Sequence, residues 1–166
     1  IPYMVTGGMA VFVWGRPRFT ADIDIVVALK EEGVEKFASA LLALGNAGYL
    51  DTDTAKEAVR KNGEFNFIDG MTGVKVDFWV SGNDPFNQSG FKRRRKKEVG
   101  GEKVYFLSPE DLVLSKLLWH QRSESSRHLE DIESVLKISK VDVRYIRKWA
   151  KQHTTLKLFD KLYKKK

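Results

Sequence analysis

The chain has 166 residues, 42% hydrophobic, 31% charged and 11% aromatic, a balance that suits one folded domain and excludes a multidomain machine or wholesale disorder. It contains no cysteine, which rules out disulfides, cysteine-ligated zinc and thiol nucleophiles and permits a reducing cytosol. The formal charge of +7 divides unevenly: residues 1–80 carry 8 Lys/Arg against 11 Asp/Glu, or −3, while residues 81–166 carry 21 against 11, or +10, as expected of a protein that collects cations in one place and phosphates in another.

Residues 1–6 read as a short apolar strand running into Gly7-Gly8. Because this pattern opens on Ile1 rather than Met, the chain is expected to begin inside a longer one, with a helix upstream. Residues 9–14 are too continuously apolar, and too close to a glycine pair, for another strand, and read as a short buried helix. Residues 21–27 form a strand rich in β-branched side chains. The spacing of Val34, Phe37, Ala38, Leu41, Leu42 and Leu44 predicts a helix over 31–47, with Gly45 and Gly48 at its end. A short helix over 54–61 is followed by a hairpin of 65–68, a turn at 69–73, and 74–80. Residues 81–85 are expected to end the sheet, and the basic run Lys92 to Lys97, which leads to an edge strand at 103–107, reads either as a solvated or mobile loop or as a nucleic-acid or phosphate contact. Ser108-Pro109-Glu110-Asp111 is a helix start with an N-cap, proline at the first position and two acids in the first turn. Helices are predicted over 109–120, 126–138, 142–152 and 156–163, with a frayed tail after that. No apolar run approaches the roughly 20 residues needed to cross a bilayer, so no membrane partner is expected and the protein is placed in the cytoplasm.

The most informative segment is Asp22-Ile23-Asp24 inside an apolar strand. With a side-chain period of two, Asp22, Asp24 and Val26 share one face, so the carboxylates point the same way from Cα atoms about 6.6 Å apart. Strands avoid such pairs unless something compensates the repulsion. A second apolar strand carries a lone acid, Asp77, on the same face as Lys75 and Trp79. If the two strands are neighbours, three carboxylates converge into an all-oxygen site of the kind Mg²⁺ takes with substrate phosphates. The competing reading makes Asp22 and Asp24 exposed and pairs Asp77 with Lys75 or an arginine. Upstream, Gly7 and Gly8 would let backbone N–H groups approach a phosphate at a helix start.

Gly7-Gly8, Asp22-x-Asp24 and the later Asp77 together resemble the nucleotidyltransferase superfamily, which includes DNA polymerase beta-like enzymes, aminoglycoside nucleotidyltransferases and the minimal nucleotidyltransferases. Arg18-Phe19-Thr20-Ala21-Asp22-Ile23-Asp24, Ser108 to Leu112, Lys116 and Arg127 to Ile132 are further similar to small nucleotidyltransferases related to the AbiEii toxins. The resemblance implies an α/β (α+β) fold, a mixed β-sheet with flanking helices, in which a nucleotidyltransferase core spans 1–107 and a C-terminal helical segment spans 108–166. It also implies that Asp22, Asp24 and Asp77 hold one or two Mg²⁺ ions, that Asp77 orients or deprotonates the attacking hydroxyl, and that Gly7 and Gly8 cradle phosphate. Nucleoside monophosphate would pass from an NTP to a hydroxyl on RNA, a protein or a small molecule, with pyrophosphate released. An antitoxin or other protein partner follows from the same analogy. The alternatives are a nucleotide- or RNA-binding module without turnover, or a protein-interaction subunit.

Other residues carry less. On a helix apolar nearly all round, Lys116 projects between Leu112 and Val113, so it either snorkels or faces a polar pocket; the family resemblance favours the pocket. Asp131 stands one turn after Arg127 and reads as a surface ion pair, although the resemblance adds it to the nucleotide-binding set with Arg18, Thr20 and Lys116. Arg16 and Arg18 flank the acidic strand. The three histidines lack ligand spacing and receive no role, and the four tryptophans read as core, with Trp79 near enough to Asp77 to meet a base.

Overall fold

The computed structural model describes residues 1–44 and 47–164. Its elements run β1 (Tyr3–Val5), α1 (Gly7–Trp14), β2 (Asp22–Val27), α2 (Val34–Leu42), α3 (Thr52–Lys61), β3 (Glu64–Ile68), β4 (Lys75–Val80), α4 (Pro85–Arg93), β5 (Arg95–Val99), β6 (Glu102–Phe106), α5 (Pro109–Ser123), α6 (Ser126–Ile138), α7 (Val143–Gln152) and α8 (Leu156–Tyr163). The strands form one mixed sheet in the order β3-β4-β2-β1-β6-β5. β2 and β4 are parallel neighbours, which is the condition for Asp77 to join Asp22 and Asp24.

Two apolar clusters hold the sheet. In one, Val27, Phe65, Phe67, Phe78 and Val80 meet Val34 and Ala38 of α2 and Ala55 and Ala58 of α3. The other joins Met4, Val5, Phe106 and Leu107 to α1 and to the buried residues of α5 through α8, among them Leu112, Leu117, Ile132, Ile146 and Phe159. Burial on this scale, at about 25 cal/mol per Å² of apolar surface, is the main force that fixes the layers. Side-chain caps set several helix starts: Asp51 for α3, Asp84 before Pro85 for α4, Ser108 before Pro109 for α5, and Asp142 for α7.

The structure departs from the sequence reading at four places. The helix expected over 31–47 is a 3₁₀ turn at Glu31–Gly33 followed by α2, which ends at Leu42, and Gly45 lies outside the described residues. Residues 81–85 do not end the sheet, because the chain passes through α4 and returns as the β5–β6 hairpin. Strand 103–107 is not an edge: β6 lies between β1 and β5, parallel to β1, and β5 takes the edge. The basic run is not a loop. Lys92 and Arg93 end α4, and Arg95, Lys96 and Lys97 open β5, whose residues are all exposed. Gly100 and Gly101, with φ of +59° and +84°, make the two-residue turn to β6, which requires left-handed backbone at both positions. Lys165 and Lys166 of the tail lie outside the described residues.

Candidate active site

Register places the acids. Asp24 stands opposite Asp77, Asp22 opposite Lys75, and Val26 opposite Trp79, so these six side chains share one face of β2 and β4, while Ile23, Ile25 and Val27 face the other way. Asp22, Asp24 and Asp77 line a cavity of about 530 Å³ whose opposite wall is α5. That helix contributes Asp111, Ser115, Lys116, Trp119 and Arg122 to the cavity, spaced so that they fall on one side of it.

Glycine is required at the start of α1. Gly7 has φ of +57°, and a Cβ there would lie 1.8 Å from Asp24 Oδ2, while one on Gly8 would lie 2.6 Å from Thr20 Cβ and Oγ1. The pair thus admits Asp24 and Thr20 against the first helical turn. The Thr6 N–H donates to the Asp24 carbonyl at 2.8 Å, and the Thr20 hydroxyl donates to Asp22 Oδ1 at 3.0 Å. The space expected for phosphate above the glycines is partly filled by the Asp24 side chain itself, although Gly7 still lines the cavity.

Burial pushes the Asp24 carboxyl above its ordinary range; nearby Asp22 and Asp77 add to this, while the Trp79 N–H, which donates to Asp24 Oδ1 at 3.3 Å, and Lys116 oppose it. Asp77 Oδ2 pairs with Lys75 Nζ at 2.8 Å, as one of the two readings of the sequence held. Three carboxylates crowded on one face form an oxygen donor set of the kind that suits a hard divalent cation. They are not drawn into a closed cluster, and among the described residues no group of three or more His, Cys, Asp or Glu is gathered tightly enough to hold a metal ion.

Lys116, which lines the cavity, is held from behind by Asp131, and Asp131 and Arg18 lie outside the cavity lining. Asp131 is not the surface partner of Arg127: only 2% of it is exposed, and its carboxylate takes a two-pronged contact from Arg18, Nε to Oδ1 at 2.7 Å and Nη2 to Oδ2 at 2.9 Å. Lys116 Nζ lies 2.9 Å from Oδ2. Burial would raise the Asp131 pKa, but Arg18 and Lys116 outweigh it and hold the carboxyl below its ordinary range. Its helical spacing from Arg127 suggested a pair, yet the packing of α6 on α5 turns Asp131 inward. Lys116 faces the polar pocket rather than snorkelling, since only 7% of it is exposed. Arg16 remains on the surface.

Sequence reasoning missed three cavity residues. Trp119 meets Trp79 edge to face at 5.1 Å, and Arg122 lies over Trp119 at 5.6 Å; their offset from Lys116 along α5 was the available signal. His128, at the start of α6, also lines the cavity.

No protein of curated function matches the chain. A nucleotidyltransferase-like antigen from Paracoccidioides brasiliensis is similar over 98% of this chain and 84% of its own, with 17% identity and a TM-score of 0.57. ANT(2")-Ia, solved with adenylyl-2"-tobramycin, is similar over 93% of this chain and 87% of its own, with 14% identity and a TM-score of 0.60. The lincosamide adenylyltransferase LnuA, solved with lincomycin, is similar over 82% of this chain and 87% of its own, with 14% identity and a TM-score of 0.53. At such identities the likeness establishes the nucleotidyltransferase fold. The family model described as "Nucleotidyl transferase AbiEii toxin, Type IV TA system" matches residues 2–162, and the chain therefore belongs to the AbiEii nucleotidyltransferase toxin family.

Proposed function

We propose that this nucleotidyltransferase transfers a nucleoside monophosphate from an NTP to a hydroxyl acceptor and releases pyrophosphate, using Mg²⁺ held by Asp22, Asp24 and Asp77. The observation that carries this reading is the register of Asp24 opposite Asp77, with Asp22 two residues away, across a cavity from Lys116. When bound, the metal would supply charge stabilisation for the attacking and leaving oxygens. The chain's own residues do the rest. Asp77 sits where an acceptor hydroxyl can be oriented and its proton accepted, and Lys75 beside it restrains its position. Arg18 and Lys116 share the single charge of Asp131, leaving one net positive charge to face phosphate. In this reading residues 1–107 supply the carboxylates and the helical segment 108–166 supplies Lys116 and Asp131.

For the acceptor we favour RNA. Arg95, Lys96 and Lys97 stand exposed on the open edge strand, with Lys96 over the Tyr105 ring at 5.3 Å and Lys97 over Trp14 at 4.7 Å, a pairing of cations with aromatic rings that suits a polyanion. A second reading, a small cationic acceptor, draws on a recess of about 390 Å³ that shares Asp77 and includes Asp51 and Glu64. A cytoplasmic toxin countered by an antitoxin fits the family.

The test incubates protein and Mg²⁺ with each α-labelled NTP and with total RNA, protein or polyamine-like alcohols as acceptors. Label transferred by the wild type and lost in Asp22→Ala/Asp24→Ala supports the mechanism. Transfer that survives in the double variant overturns it.

A further inference from the structure

The three strand acids are compensated unequally. Asp22 receives the Thr20 hydroxyl at 3.0 Å and Asp24 receives the Trp79 N–H at 3.3 Å, both neutral donors. Among the described residues Asp77 alone of the three is ion-paired, its Oδ2 lying 2.8 Å from Lys75 Nζ. Lys116, on the opposite wall, is committed to Asp131. Lys75 is therefore the one cation bonded directly to the trio, and the register of β2 and β4 also sets it opposite Asp22. Carboxylates crowded on one strand face need such a charge to offset their repulsion.

The pair stands on a boundary. Asp77 is the residue common to the linings of the 530 Å³ cavity and the 390 Å³ recess, whereas Lys75 lines the recess alone. The ammonium thus holds Asp77 from the recess side, in keeping with three acids that share a face without closing into a cluster. The two partners differ in freedom: the Lys75 side chain is 44% exposed and that of Asp77 17%. Water and the recess carboxylates of Asp51 and Glu64 are open to a displaced ammonium on its flexible stem, while Asp77 stays in the sheet. A divalent ion that takes oxygen at about 2.1 Å cannot share Oδ2 with an ammonium without strong like-charge repulsion.

We propose that Lys75 is the resident counter-cation of the acid trio, which holds Asp77 in the metal-free protein and yields it to the divalent ion by swinging into the recess. The restraint that Lys75 places on Asp77 is then also a competition, and it sets how tightly the metal is held. The proposal rests on the metal-dependent transfer reading and adds Lys75 to it as a positioning residue that never touches the substrate.

Mn²⁺, followed by the EPR signal of the free ion, titrates the purified protein without NTP or turnover. Lys75→Met keeps the apolar stem and removes the charge. It should bind Mn²⁺ about tenfold more tightly than wild type, the size of one unit charge acting on a divalent ion about 5 Å away through water. Lys75→Arg keeps the charge and should bind like wild type. Lys61→Met removes the same charge from the Glu57 pair on α3, outside both linings, and should leave the affinity unchanged. Equal or weaker Mn²⁺ binding in Lys75→Met overturns the proposal, as does an equal gain in Lys61→Met. Mn²⁺ binding that is absent from both wild type and Lys75→Met, or that survives Asp22→Asn/Asp24→Asn in both, overturns the metal reading itself.

Discussion

Gly7→Ala isolates how closely the site is built. Two separate penalties apply. The backbone at Gly7 has φ of +57°, and an L-residue held there costs roughly 1–2 kcal/mol. The new Cβ would also lie 1.8 Å from Asp24 Oδ2 and 2.5 Å from its Cγ, well inside contact distance, so the carboxylate has to move by an ångström or more. Gly73→Ala is the internal control: its φ is +70°, yet nothing lies within 4 Å of a Cβ there, so it carries the backbone penalty alone. For a chain of this size each kcal/mol corresponds to about 2–4 °C in Tm. Both variants should therefore melt a few degrees below wild type. A misplacement of about 1 Å at a reacting centre costs on the order of 10²-fold in rate, so Gly7→Ala should lose about that much kcat in the labelled-NTP assay while Gly73→Ala keeps wild-type turnover. If Gly7→Ala transfers label at the wild-type rate, Asp24 has no position-sensitive role. If both variants lose rate equally, the clash is not the cause.

Four further outcomes follow from the same geometry. Asp131→Ala leaves Arg18 and Lys116 without their buried partner and should destabilise the fold by about 3–5 kcal/mol in denaturant titrations; no change would mean that the three groups do not share a buried network. Because Arg18 and Lys116 hold the Asp131 carboxyl below the ordinary aspartate range, its stabilisation is complete above that range and is lost as pH falls through the folded pKa, so Asp131→Asn should flatten the acid limb of the stability profile. Trp79→Phe removes the N–H that reaches Asp24 and keeps the ring, and should lower kcat about tenfold with KM for NTP little changed; a pure KM effect would place Trp79 against the nucleotide instead. Replacing Arg95, Lys96 and Lys97 with serine should reduce the slope of log affinity for RNA against log salt by about 2–3 in filter binding, and an unchanged slope would remove the ribbon from the acceptor path.

The acids were legible because an apolar strand tolerates Asp-x-Asp only where something answers the charge, and period two alone puts Asp22 and Asp24 on one face. Lys116 was legible for a related reason, a cation inside an apolar arc. What sequence hid was the neighbour across space. Arg18 and Asp131 are 113 residues apart, and the helical spacing offered Arg127 as a nearer and equally plausible partner. Only the packing of α6 against α5 decides which side of the helix is buried. β5 escaped detection because hydrophobic alternation marks a strand with one covered face, and every residue of Arg95–Val99 is exposed on an edge paired only with β6. Its remaining signal was the Gly100-Gly101 turn. α4 was hidden by composition: Asn87, Ser89 and Gly90 are poor helix formers, and the helix stands on its Asp84 cap, on Pro85, and on Phe86 packed against Trp149.

These corrections change what the charge division means. The run of six cations divides in the fold: Arg93 turns inward, with Nη2 2.9 Å from Glu110 Oε2, Nε 3.6 Å from Asp111 Oδ2 and its guanidinium over Tyr145 at 3.9 Å. Tyr145 in turn donates to Asp111 Oδ1 at 2.6 Å. One member of the run is therefore a brace between α4, the start of α5 and α7, and Asp111, which lines the cavity, is held by it. Lys116 has left the surface as well. The positive excess of the second half is thus divided by burial into structural cations, cavity cations and a solvent-facing ribbon. Only the last can supply the salt-dependent attraction that a bulk charge count would have assigned to all of them.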